Sequence, residues 1–130
     1  MDVFNLSVAP IPQLRIAFIG VGVRGIEAVK RYLQLEVQIV AIAEVGAEAM
    51  QKVKALTAHL PVQPAYYTAP DDWRKLCKHP DIDLLYISTP WQQHAPMAIY
   101  AMQCGKHVAI EVPLAMTIAD CKRIVRTAEE

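Results

Sequence analysis

Three glycines, Gly20, Gly22 and Gly25, follow an apolar run and open a helix-like stretch. Glycines at this spacing allow a tight turn out of a strand, a close approach of backbone to an anion, and close packing of a helix on a sheet. The following helix offers unpaired N–H groups and a partial positive charge to phosphate. Val23 and Arg24 lie in this loop, and Arg24 is either a phosphate contact or a solvated side chain. The motif predicts pyrophosphate binding.

One acid, Glu44, ends a second apolar run 19 residues after Gly25. A carboxylate there can accept hydrogen bonds from both hydroxyls of an adenosine ribose, whereas it would repel a 2′-phosphate. No Arg or Lys follows in residues 45–47. The order strand, glycines, helix, strand, acid therefore predicts a dinucleotide site that prefers NAD(H) to NADP(H). The alternatives are a structural turn or another nucleotide-like ligand, such as a methyl donor.

Strands and helices must alternate to position these residues, and the apolar pattern predicts that they do. We expect an α/β fold with a Rossmann-like, doubly wound parallel sheet. The predicted strands are 15–19, 37–43, 65–68, 84–88 and 107–111. The predicted helices are 23–35, 47–59, 71–77 and 92–104, with a last helix capped by Thr117.

The chain divides into an extended lead-in, residues 1–13, and a dinucleotide-binding domain, residues 14–130. Pro10 and Pro12 favour extended backbone in the lead-in. Since the sequence ends in a helical pattern, we expect that the last strand of the sheet and a C-terminal α/β domain are missing, so that the chain is a fragment of a longer protein. The alternative is a complete small binding protein. If the chain is a fragment, strand five would be an open sheet edge, which favours pairing between chains and so a homo-oligomer.

The amino-acid composition argues against several classes of binding partner. Apolar residues make up 54% of the chain, charged residues 20%, and the formal net charge is zero, which argues against a nucleic-acid partner. The apolar runs are too short to cross a membrane. The acid Asp2 argues against a secretory signal, and three cysteines without a C-x-x-C motif favour a cytoplasmic protein. No pair of side chains has metal-ligand spacing, so we expect no metal site.

The second half of the chain carries a family resemblance. A predicted strand ends in Thr89-Pro90, and His94, the run 105–108 (Gly-Lys-His-Val) and the run 111–113 (Glu-Val-Pro) follow in order. Together with the glycine motif, this series resembles the glucose–fructose oxidoreductase / inositol dehydrogenase family over nearly the whole chain. The resemblance implies an NAD-dependent oxidoreductase or dehydrogenase acting on a small sugar or polyol, with its catalytic residues in the missing domain.

The resemblance also implies a role in cofactor binding for individual residues of this chain. The three glycines and Glu44 would hold the pyrophosphate and the adenosine ribose, and Thr89 and Pro90 would lie near the nicotinamide half of NAD. Glu111 would bind around the nicotinamide ribose. His94 is either a further cofactor contact or a cap or surface residue of its helix. Trp91 is a candidate aromatic wall for a sugar or nicotinamide.

One position departs from the family. Val112 stands where the family usually has a lysine that positions or protonates substrate. Valine can do neither, and Glu-Val-Pro resembles a branch of NAD-dependent glycoside hydrolases that includes α-N-acetylgalactosaminidase-like enzymes. In that branch NAD stays bound and the sugar is transiently oxidised at C3. A non-catalytic dinucleotide sensor is the third hypothesis.

Overall fold

A computed structural model describes residues 2–130, and Met1, the first residue of the lead-in, lies outside the described residues. Five parallel strands form one sheet in the order β3-β2-β1-β4-β5. The strands are β1 (Arg15–Ile19), β2 (Gln38–Ala43), β3 (Ala65–Tyr67), β4 (Leu84–Ile87) and β5 (His107–Ile110). The helices are α1 (Val23–Tyr32), α2 (Ala47–Thr57), α3 (Trp73–Lys78), α4 (Trp91–Gln103) and α5 (Ile118–Glu129). The predicted α/β fold is confirmed.

The sheet is covered on both faces, which explains why its central strand is apolar at successive positions. Phe18 of β1 lies in the cluster beneath α1 and α2, where its ring packs edge-on against Tyr32 with centroids 5.7 Å apart. Its neighbours Ala17 and Ile19 lie in the cluster beneath α3 and α4. Alternate residues of one strand therefore fill two separate cores.

The register brings three strand ends together. Ile19, the last residue of β1, pairs with Ala43 of β2 and with Ile87 of β4. The next amide, Gly20 N–H, donates to Ala43 O at 2.9 Å, and Ser88 N–H donates to Ile19 O at 2.9 Å. Since the carboxyl ends of parallel strands share an edge of the sheet, the loops after β1, β2 and β4 meet there.

Most predicted elements are confirmed, several of them with shorter bounds. The predicted helices 23–35 and 47–59 end at Tyr32 and Thr57, and the helix expected over 71–77 begins at Trp73. The Asp72 carboxylate accepts a hydrogen bond from Ala69 N–H at 3.0 Å, so Asp72 fixes the preceding turn and does not lie inside the helix. The lead-in was predicted to be extended, and this is wrong for Val3–Asn5, a 3₁₀ turn capped by the Asp2 side chain.

The end of α4 and the start of α5 have the capping residues that the sequence predicts. Gly105, just after α4, has φ +77°, a conformation that favours glycine. Thr117 Oγ1 accepts from Asp120 N–H at 3.1 Å and caps α5, as predicted. β5 is the edge strand beyond β4 in the described sheet. Within residues 2–130, no helix is long and apolar enough to cross a membrane.

Candidate cofactor-binding site

A cleft of about 460 Å³ opens at the carboxyl ends of β1, β2 and β4. The glycine loop after β1 and the turn after β4 form two of its walls, and Glu44 and Val45 after β2 form a third. Its lining residues are Ile19, Gly20, Gly22, Ala43, Glu44, Val45, Ala69, Pro70, Trp73, Ser88, Thr89, Pro90, Gln93 and Met97. Five of the ten predicted site residues meet in this cleft.

Gly20 and Gly25 are required by the packing of the loop itself. Gly20 has φ +85°, and a Cβ on it would collide with the backbone oxygen of Ser88. A Cβ on Gly25, in the first turn of α1, would collide with the backbone oxygen of Gly20. Gly25 is buried and does not line the clefts, so it supports the loop from beneath and does not itself face a pyrophosphate.

Gly22 is different, because a Cβ on it would meet no protein atom within 4 Å. It is the N-cap of α1, it is exposed, and it lines the large cleft and a smaller neighbouring one. Its φ of −64° lies outside the left-handed region that favours glycine. The space that a side chain would fill lies at a helix N-terminus, where a pyrophosphate is stabilised. The residues present therefore fit a dinucleotide.

Glu44 connects two loops of the large cleft. Its Oε2 accepts from Val21 N–H at 2.8 Å, and its Oε1 accepts from Gly46 N–H at 2.7 Å. The carboxylate is half-buried, and each oxygen has a second lone pair. Glu44 can thus hold the glycine loop in place and still accept hydrogen bonds from two ribose hydroxyls. Sequence reasoning predicted the second role and missed the first.

The apolar wall of the large cleft was not predicted. Ala69 and Pro70 follow β3, while Trp73 begins α3 and is 9% exposed. Trp73 packs edge-on against Tyr100 with ring centroids 5.4 Å apart. This wall lines the same cleft as Glu44, and its apolar character suits an adenine ring. The available signal was the Ala69-Pro70 turn, since a turn after a parallel strand opens on the ligand edge of the sheet.

A smaller cleft of about 220 Å³ lies on the other side of Gly22. It brings together four further predicted site residues, Val23, Arg24, His94 and Glu111, and Thr89 lines both clefts. Its lining is Gly22, Val23, Arg24, Ser88, Thr89, Trp91, His94, Glu111 and Val112. Arg24 is exposed at its rim, and Trp91 is 59% exposed at the start of α4. The two clefts share the glycine loop and each contains one acid.

The acid of the smaller cleft, Glu111, is held by a tyrosine. Tyr86 of β4 donates its hydroxyl hydrogen bond to Glu111 Oε1 at 2.6 Å, and Arg31 of α1 lies 4.0 Å from the same oxygen. Burial, followed by this contact with the carboxylate, raises the pKa of the Tyr86 hydroxyl to about 12. Tyr86 therefore remains a donor at neutral pH and fixes one carboxylate oxygen. Sequence reasoning found Glu111 and missed Tyr86, which lies on a different strand.

His94 is not the surface or cap residue that the sequence left open. It is 1% exposed, in the first turn of α4. Its Nδ1 lies 2.7 Å from Pro113 O, and its Nε2 lies 2.9 Å from Thr89 O. Both ring nitrogens therefore face backbone carbonyl groups of the protein. Among residues 2–130 no group of three or more His, Cys, Asp or Glu side chains could hold a metal ion.

A parallel sheet in this order, with a glycine loop, an acid after β2 and a cleft at the strand ends, defines a dinucleotide-binding Rossmann domain. The chain belongs to the oxidoreductase family with an NAD-binding Rossmann fold, whose model matches residues 14–130. The resemblance to glucose–fructose oxidoreductase and inositol dehydrogenase is confirmed, and the domain binds NAD.

Individual relatives within this family are also similar to the chain. The chain is 47% identical to an α-N-acetylgalactosaminidase of Bacteroides fragilis, covering 98% of this chain and 31% of that protein. It is 43% identical to a glycosyl hydrolase family 109 protein of Phocaeicola vulgatus, covering 99% and 32%. The structure of the WlbA dehydrogenase of Bordetella pertussis, in complex with NADH and UDP-GlcNAcA, matches with a TM-score of 0.75 and 25% identity, covering 90% and 34%. The chain thus spans about a third of the length of the curated relatives it matches.

Proposed function

We propose that this chain is the cofactor domain of a longer NAD(H)-dependent oxidoreductase that acts on a sugar or polyol. The observation that carries the proposal is the pair of clefts on either side of Gly22, one containing Glu44 and the other Glu111. A dinucleotide has two riboses joined by a pyrophosphate, and this arrangement offers one acid to each ribose and a helix N-terminus between them. The sugar-acting relatives support the substrate class.

The residues of this chain bind and orient the cofactor. Glu44 accepts hydrogen bonds from the adenosine ribose, Trp73 and Pro70 exclude water from the adenine, and Glu111 holds the nicotinamide ribose. Thr89, at the junction of the clefts, contacts the nicotinamide side. NAD, when bound, supplies an acceptor and donor of hydride. The groups that contact the sugar belong to the remainder of the longer enzyme in this proposal.

A specific observation favours a second outcome, hydrolysis of a glycoside without net redox change. Val112 borders the smaller cleft next to Glu111 and is 82% exposed, so a lysine at this position would reach into the space where a substrate meets the cofactor. Valine provides no proton and no hydrogen bond there. The identity to an α-N-acetylgalactosaminidase supports the same outcome.

One experiment separates these activities. The longer enzyme, loaded with NAD⁺, is incubated with a chromogenic α-N-acetylgalactosaminide and, in parallel, with polyols and free sugars, while aglycone release and NADH absorbance are recorded. Aglycone release without NADH accumulation supports the glycosidase. NADH accumulation with a polyol or sugar supports the dehydrogenase. Binding of NAD⁺ without either product supports the non-catalytic sensor. The Val112→Lys variant tests whether the valine selects between the first two outcomes.

Assembly and location are part of the proposal. The outer edge of β5 is unpaired in the described sheet, and its backbone groups can pair with the same strand of a second copy, which supports a homo-oligomer. Cys77, Cys104 and Cys121 are free thiols, which fits the reducing cytoplasm. Sedimentation of the chain over a range of concentrations tests the first point, since a monomer at every concentration would exclude pairing through β5.

A further inference from the structure

The His94 side chain joins two loops that come from different strands. Nε2 lies 2.9 Å from Thr89 O, in the turn after β4, and Nδ1 lies 2.7 Å from Pro113 O, in the segment after β5. The ring is 1% exposed, so water has little access to its two nitrogen atoms. His94 is therefore a buried bridge between the two loops.

Both loops form walls of the smaller cleft. Thr89 lines it from the β4 side, and Glu111 and Val112 line it from the β5 side. The two ring nitrogens lie on opposite sides of a flat ring, one against each carbonyl group, and a ring N–H can donate to the oxygen that it faces. The width of the smaller cleft between Thr89 and Glu111 is thus set in part by His94.

The end of the large cleft that we assign to the adenosine does not contact this bridge. Its apolar wall, Ala69, Pro70 and Trp73, is fixed by the Asp72 carboxylate bonded to Ala69 N–H at 3.0 Å. Its acid, Glu44, is fixed by the amides of the glycine loop and of Gly46. A change at His94 should therefore alter the smaller cleft and spare the adenosine end of the large cleft.

We propose that His94 is a positioning residue for the nicotinamide half of NAD, acting by holding the turn after β4 against the segment after β5. The proposal rests on the assignment of the smaller cleft to that half of the cofactor. His94 does this through backbone carbonyl groups, so it need not contact the cofactor. The sequence left open whether His94 contacts the cofactor, and this proposal gives it an indirect role.

The test compares two ligands, AMP and NAD⁺, by calorimetry on the 130-residue chain. AMP reports on the adenosine half alone. We expect His94→Leu, which replaces the ring by an apolar side chain and removes both ring nitrogens, to weaken NAD⁺ binding about tenfold while AMP affinity changes less than about twofold. His94→Gln, which retains one amide donor group, should give an intermediate ratio and serves as the folded variant if His94→Leu does not fold.

A control separates positioning from general loss of stability. Thr57, at the end of α2, is also fully buried, and its hydroxyl donates to Val53 O at 2.8 Å, away from both clefts. Thr57→Val should lower the unfolding temperature without changing the ratio of the two affinities.

Equal weakening of AMP and NAD⁺ by the His94 variants, or no change in either, overturns the proposal. So does a wild-type chain that binds the two ligands with the same affinity, because the nicotinamide half then adds nothing. Failure of the wild-type chain to bind AMP or NAD⁺ at all would instead refute the cofactor site itself.

Discussion

Glu44 Oε2 accepts a hydrogen bond from Val21 N–H at 2.8 Å, which ties the end of β2 to the glycine loop after β1. The second oxygen of the same carboxylate accepts from Gly46 N–H at 2.7 Å. An acid in this position can accept hydrogen bonds from the adenosine ribose. In this chain it also holds the glycine loop, so deleting the side chain would remove both the loop contact and the proposed ribose contact.

Replacing Glu44 by Gln should weaken both the fold and the cofactor affinity. An amide has one acceptor oxygen, so its NH₂ group must face one of the two backbone N–H groups. We expect a loss of about 1 kcal/mol in the free energy of unfolding and a rise of about tenfold in the dissociation constant for NAD⁺. Urea unfolding and calorimetry measure the two quantities.

The matched control for this substitution is Glu48→Gln. Glu48, in the first turn of α2, pairs with Lys52 at 2.8 Å, and the two side chains are 84% and 63% exposed. An exposed pair contributes little to stability, so Glu48→Gln should leave both measurements close to those of the wild type. Unchanged NAD⁺ affinity in Glu44→Gln would show that the carboxylate does not contact the ribose.

The glycines of the loop should separate into a structural and a functional position. Gly22→Ala places a methyl group in the open cleft, so we expect normal unfolding and NAD⁺ affinity reduced at least about tenfold. Gly25→Ala forces a Cβ against the Gly20 carbonyl, so we expect a loss of about 2 kcal/mol or more in the free energy of unfolding. Thermal unfolding measures the stability of both variants, and calorimetry measures their NAD⁺ affinity. Equal destabilisation by the two substitutions would contradict the distinction between a structural and a functional glycine.

Acid should destabilise the chain through one ion pair. The guanidinium of Arg15 donates to Asp83 at 2.8 Å and 3.0 Å, and this contact lowers the pKa of the Asp83 carboxyl to about 2. A lowered pKa in the folded state means that the stabilisation is complete above about pH 4 and is lost as the pH falls towards 2. Since Arg15 is about one-third exposed, we expect a contribution of roughly 1 to 2 kcal/mol.

Unfolding temperatures of the wild type and Asp83→Asn between pH 2 and 7 test this expectation. The two curves should differ at neutral pH and converge at the acid end. Asp81→Asn is the control, because the Asp81 carboxylate also contacts Arg15, at 3.0 Å, but is 68% exposed. Curves that stay parallel down to pH 2 would refute the assignment.

The sequence was sufficient for the features that act locally. Spacing along the chain predicted the glycine loop, Glu44 and the parallel sheet, because each depends on neighbours within one βαβ unit. Thr117 and Gly105 followed in the same way from helix-end chemistry. These features depend on residue type and on the local backbone conformation that each residue type favours, and both can be inferred from a short stretch of sequence.

The missed features depend on which strands are neighbours. The role of Tyr86 requires that β4 and β5 pair so that its hydroxyl reaches Glu111, 25 positions away. The burial of His94 requires that the segment after β5 folds back over α4, which brings Pro113 O to its ring. Trp73 becomes a wall of the large cleft only because α3 lies beside β2 at the shared edge. No pattern within one segment of the sequence predicts these contacts between distant residues.

The stacked backbones of the glycine loop have a consequence for the speed of binding. The carbonyl of Ser88 lies where a Gly20 side chain would be, and the carbonyl of Gly20 lies where a Gly25 side chain would be. A loop held this closely has little freedom to lose when a dinucleotide arrives, so association should need no slow rearrangement. Differences in affinity among dinucleotides should therefore appear in how long each one stays, which stopped-flow dissociation would record as residence time.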